Sequence, residues 1–80
     1  MPSPSRLRWR CRRGMKELDD LLTRYLERHY PAAPAVERQA FEALLELQDP
    51  DLFRYVIGRD LPTDAAMADV IAKIRRPADP

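Results

Sequence analysis

Eight prolines against two glycines, with no asparagine anywhere, narrow the choice of fold before any other feature does. The tight turns of β-hairpins draw on Gly and Asn, which accept positive φ. A chain with only Gly14 and Gly58 can supply few such turns. Proline has a different use: it opens helices at their first turn and stops those that run into it. The segments between prolines lean to Ala, Leu, Arg and Glu, all good helix formers. The expectation is an all-α protein, a compact bundle of four or five short helices joined by short Pro-rich turns.

The clearest helix spans 15–30. Leu18, Leu21, Leu22, Tyr25, Leu26 and His29 recur at helical spacing and form one apolar stripe. Asp19, Asp20, Thr23, Arg24, Glu27 and Arg28 take the other side. Acids at its start and Arg28 near its end suit the helix dipole, and Pro31 and Pro34 stop it. A second helix is predicted from Ala35 to about Gln48, with Val36, Ala40, Phe41, Leu44, Leu45 and Leu47 inward. Asp49-Pro50-Asp51 restarts the chain: Asp49 as a cap, Pro50 at the first helical position, Asp51 complementing the dipole. That helix stops at Gly58. Thr63 is the expected cap of a last helix over 64–75. Upstream, residues 6–12 alternate Arg with other types. A short helix is preferred to a strand there, because no partner strand exists; it brings Leu7 and Cys11 onto one face, with Trp9 beside them. Residues 1–5 read as a disordered tip, 6–76 as a single helical domain and 77–80 as a frayed tail. None of these helices is long enough to be stable alone, so packing must hold them.

Eighty residues bury roughly 60% of the unfolded surface and leave no room for an enclosed cleft. One cysteine excludes an internal disulfide, and one histidine argues against a protein-only zinc site. No apolar run approaches the roughly 20 residues of a bilayer span, so no membrane insertion is expected. The first sixteen residues are Arg-rich and acid-free, as in a mitochondrial presequence, yet they are short and run directly into the folded pattern. The chain reads as a mature cytoplasmic bacterial protein.

Charge is uneven. Residues 1–16 carry +6 and the remainder −5, for a net +1. Such asymmetry points the N-terminal segment at an anionic partner surface. Arg6, Arg8, Arg10, Arg12, Arg13 and Lys16 are suited to neutralising phosphates, which makes a small basic nucleic-acid-binding module the alternative reading. The later helices carry no exposed basic recognition face to accompany it. An enzyme has little to stand on: His29 falls on the apolar stripe, and Cys11 either packs inward or, if exposed, has its thiol pKa lowered by arginines. With two glycines there is neither a dinucleotide-binding fingerprint nor a phosphate loop. Gly14, between Arg12-Arg13 and Met15-Lys16-Glu17, offers bare backbone flanked by opposite charges. It serves either close approach by a partner or the crossing of two helices. Arg13 and Glu17, four apart, can pair if the helix continues through Gly14.

Arg13-Gly14-Met15-Lys16-Glu17 resembles the R-G-x-x-E motif of the SdhE (YgfY-like) assembly factors, which promote flavinylation of succinate dehydrogenase. Trp9, the run Cys11 to Met15, Glu17-Leu18-Asp19 and the restart Asp49-Pro50-Asp51-Leu52-Phe53 fit the same family. Tyr55 departs from it, standing where members often carry Trp. The resemblance covers residues 6–74. It implies a five-helix fold and an assembly factor without a catalytic site. The implied partner is the flavoprotein subunit of succinate dehydrogenase, and often that of fumarate reductase. No cofactor would be held stably, since the FAD belongs to the client. The implied docking residues are Arg13, Gly14 and Glu17, with Arg8, Arg12, Met15, Asp49 and Asp51 beside them. The implied action is to hold the client where FAD and its acceptor histidine are aligned.

Overall fold

The computed structural model describes residues 4–75. The expected tail, 77–80, and the first three residues of the expected tip lie outside them. Five α-helices follow in order: α1 (Pro4–Arg10), α2 (Lys16–Arg28), α3 (Ala35–Leu45), α4 (Asp49–Val56) and α5 (Ala65–Arg75). A single 3-10 turn, Tyr30–Ala32, sits between α2 and α3. Among the described residues there is no strand. Helix α1 begins at Pro4, so the last two residues of the expected tip are helical.

Helix α5 lies at the centre, packed against α2, α3 and α4, while α1 packs on α2. Leu7, Cys11, Leu18, Leu22, Tyr25, Phe41, Leu44, Leu52, Val70, Ile71 and Ile74 are the fully buried side chains. Each apolar side chain of that size contributes about 1.5–3 kcal/mol by leaving water. The α2 stripe is confirmed with its edges trimmed: Leu18, Leu22, Tyr25 and Leu26 are buried, Leu21 and His29 half-buried. The His29 ring stacks on Tyr25 at a centroid distance of 5.4 Å.

The differences from expectation lie at helix ends and on two faces. Helix α3 ends at Leu45, three residues early, where Glu46 N–H and Leu47 N–H bond to the carbonyls of Ala43 and Leu44 in tightened turns. Val36 is 66% exposed instead of inward. Gln48, not Asp49, occupies the cap position of α4, and Asp49 is already helical. Asp64 rather than Thr63 caps α5, its carboxylate accepting the Met67 N–H at 2.9 Å. Helix α4 closes at Gly58, whose φ of +86° is the left-handed conformation that such ends favour. There Gly58 N–H bonds to Tyr55 and Arg59 N–H to Arg54. Leu7 and Cys11 share the inward face of the first segment as expected, but Trp9 does not lie beside them. Two residues along a helix is just over a half-turn, and Trp9 points outward, 76% exposed.

Candidate functional site

Five residues, 11–15, join α1 to α2, and the chain's own polar groups hold them in place. Gly14 has φ +84°. Only glycine adopts that backbone without strain, and a helix cannot run through it. Asp19, in the first turn of α2, turns back on this loop. Its Oδ1 accepts the Arg13 N–H at 2.8 Å and its Oδ2 the Gly14 N–H at 3.2 Å. The arrangement is a longer-reaching relative of the capping box, in which an acid inside the first turn satisfies amides ahead of the helix.

Arg13, expected among the docking residues, turns largely inward in the free chain. Its side chain is 14% exposed and reaches across to the α3–α4 junction. Nη2 donates to the Leu45 carbonyl at 2.6 Å, and Nη1 donates to the Leu47 carbonyl at 3.2 Å and to Asp49 Oδ1 at 3.1 Å. The Leu45 carbonyl is one that the early end of α3 leaves without a helical partner, and the Leu47 carbonyl belongs to the turn that follows. The planar guanidinium fork suits this task, because it offers several fixed donors at once. The Arg13–Glu17 pair does not form: the backbone breaks at Gly14, and the guanidinium is committed elsewhere. Asp49 is likewise an internal partner, and Asp51 pairs with Arg54 at 2.6 Å.

What remains at the surface is compact. Glu17 and Arg12 are exposed and make no side-chain hydrogen bond or ion pair among the described residues. Met15 is half-buried against the core. Gly14 is exposed, and a Cβ built on it would meet nothing within 4 Å. Arg8 is exposed but paired with Glu27 at 2.6 Å. Beside Gly14 an open groove of about 680 Å³ runs along the outer face of α2, with Arg12, Lys16, Arg24 and Arg28 among its lining residues.

The basic lead-in is therefore largely spent inside the molecule. Arg8 bonds Glu27, Arg10 bonds Glu46 at 2.8 Å and Arg13 bonds Asp49. Arg8, Arg10 and Arg13 staple the first segment to α2, to the end of α3 and to α4, which weakens the phosphate-binding alternative. Cys11 is buried, and burial pushes its thiol up to about 11 against the opposing pull of the Arg13 and Arg8 charges. A thiol so raised is a poor nucleophile near neutral pH. Among the described residues no group of His, Cys, Asp and Glu is placed to hold a metal ion. No described helix is long and apolar enough to cross a membrane.

Sequence reasoning missed Asp19, which it placed on the solvated side of α2. The signal was present: an acid in the first turn, just after a glycine that breaks the helix. It also missed how far Trp9 stands out.

The sequence model of the family described as flavinator of succinate dehydrogenase matches residues 5–78. The FAD assembly factor SdhE of Methylococcus capsulatus is 51% identical over 75 residues, which is 94% of this chain and 90% of that protein. The FAD assembly factor SdhE of Xylella fastidiosa is 42% identical over 71 residues, 89% of this chain and 73% of that protein. That of Aliivibrio fischeri is 40% identical over 70 residues, 88% of this chain and 81% of that protein.

Proposed function

The chain belongs to the family of flavinators of succinate dehydrogenase, and on that footing we propose that it binds the flavoprotein subunit of that enzyme and promotes its covalent flavinylation. One observation carries the assignment of the face: Glu17, in the first turn of α2, and the open backbone of Gly14 stand exposed together where the loop meets the helix, braced from behind by Arg13 and Asp19. A loop fixed before binding loses little entropy when a partner arrives. Contact falls to Gly14, Glu17, Arg12 and the exposed edge of Met15, with Trp9 as an aromatic anchor on the adjoining helix. Arg13 and Asp49 act as positioning residues. Arg8, through Glu27, and Asp51, through Arg54, steady the elements on either side.

The action is that of a chaperone, with no catalytic residue of its own. The FAD and its acceptor histidine are assigned to the client, in keeping with the name FAD assembly factor borne by the relatives. Holding the two in register can remove several kcal/mol of barrier by orientation alone. We assign the work to the cytoplasm. Extension to the fumarate reductase flavoprotein rests on the resemblance of the motif.

The test is a reconstitution from purified parts: apo-flavoprotein subunit, FAD and this chain, with covalent flavin read as in-gel fluorescence after denaturation. The expected result is a faster rise with the wild-type chain and no acceleration with Glu17→Ala. An unchanged rate in the presence of the wild-type chain would overturn the proposal.

A further inference from the structure

The groove along α2 carries positive charge that is not paired off, because the acids lining it are engaged elsewhere. Asp19 is held by the loop amides of Arg13 and Gly14. Asp20 lies 3.6 Å from Lys16, and Glu27 lies 2.6 Å from Arg8. Arg12, Arg24 and Arg28 also line the groove, and among the described residues none has a carboxylate within ion-pair distance. A chain with a net charge of only +1 thus presents three uncommitted guanidinium groups along one open channel.

We propose that Arg12, Arg24 and Arg28 form a cationic rail that takes an acidic segment of the client flavoprotein along the outer face of α2. The proposal rests on the docking reading above and extends it from the loop to the helix. Three observations select a peptide segment over a single phosphate group. The loop amides that would cradle a phosphate are already filled by the Asp19 carboxylate. The groove is open, with no wall to enclose a small anion. Its cations are also spread out: Arg24 and Arg28 are one turn apart, about 6 Å along the axis, with Arg12 in the loop ahead of the helix. An extended chain with acids at intervals matches that spacing. Gly14 itself lines the groove, so the rail is continuous with the docking loop. Glu17, an acid at the loop end, gives the face a polarity that fixes the direction in which an acidic segment can lie.

The experiment compares the binding of purified flavoprotein subunit by three full-length chains: wild type, Arg24→Gln/Arg28→Gln and Arg24→Lys/Arg28→Lys. Binding is measured from about 0.05 to about 0.5 M salt, a range over which screening removes exposed charge pairing. Gln, Lys and Arg are similar helix formers, so the fold should be retained, and circular dichroism verifies this. The Gln variant is expected to bind about five- to tenfold more weakly at low salt and to lose most of the salt dependence, with the Lys variant close to wild type. Equal affinity and equal salt dependence of the Gln and wild-type chains would overturn the rail while leaving the loop reading intact. So would a Lys variant as weak as the Gln variant, since charge would then not be what is read. Displacement of the flavoprotein by inorganic pyrophosphate, lost in the Gln variant, would make the groove a phosphate site instead. If the wild-type chain binds no flavoprotein at all, the docking reading falls and the rail with it.

Discussion

Arg13 closes two helices at once, and its replacement should be felt as lost stability before it is felt as lost binding. Removing the guanidinium strands the Leu45 and Leu47 carbonyls and the Asp49 carboxylate. Arg13→Ala is expected to cost about 2–4 kcal/mol, read as a fall in the denaturation midpoint. Arg13→Lys keeps the charge but loses the fork, and should fall between. Gly14 poses a different problem, because the space above it is open while its φ of +84° is strained for any side chain. Gly14→Ala should destabilise by about 1–2 kcal/mol. Gly14→Asn should cost less, since Asn tolerates that backbone best, yet it still puts a side chain on the docking face. A stable Gly14→Asn chain that has lost flavoprotein binding would separate close approach from backbone strain. Cys11, buried and raised to about 11, should react with a thiol reagent only as fast as the native protein opens. Rapid labelling of folded protein would contradict its burial.

Among the elements, α3 and α5 are tied together at a polar cluster over the core. Glu37 accepts the Tyr25 hydroxyl at 2.6 Å and the Lys73 ammonium at 2.8 Å. Burial alone would raise the Glu37 carboxyl. The hydrogen bonds from Lys73 and Tyr25, with the Lys73 and His29 charges, outweigh it and hold the group below its ordinary 4.5. A folded value below the unfolded one stabilises fully above the ordinary value and is lost as pH falls through the lowered one. Lys73→Met removes the main stabiliser of the carboxylate, so acid unfolding followed by circular dichroism should begin at a higher pH than in wild type. An unchanged acid transition would show that the cluster contributes nothing to folding. The elements themselves were legible in the sequence because periodic leucines and flanking prolines both mark helices; five were found, separated by prolines except between α1 and α2, where Gly14 makes the break. Their caps were not. Whether Asp49 or Gln48 begins α4 depends on where Arg13 sits, 36 residues away in the chain, and no local pattern contains that. The site was legible by the same division. Gly14 and Glu17 announced themselves as a motif, while the inward turn of Arg13 depended on the early end of α3.

For the whole molecule, the charge asymmetry takes on a structural meaning. The basic first segment is drawn onto an acidic remainder through Arg8–Glu27, Arg10–Glu46 and Arg13–Asp49. The first two pairs are well exposed and worth little singly, but together the three fix the approach of α1 and hold the loop between α1 and α2 against the bundle. The motif thereby divides into a half that supports and a half that touches. That division is the central claim, and one paired measurement tests it: flavoprotein affinity and thermal midpoint, determined side by side for Glu17→Ala and Arg13→Ala. Glu17→Ala is expected to lose the flavoprotein with its midpoint unchanged, whereas Arg13→Ala is expected to lose midpoint first and affinity as a consequence. Full affinity in Glu17→Ala, or an Arg13→Ala chain as stable as wild type, would contradict it.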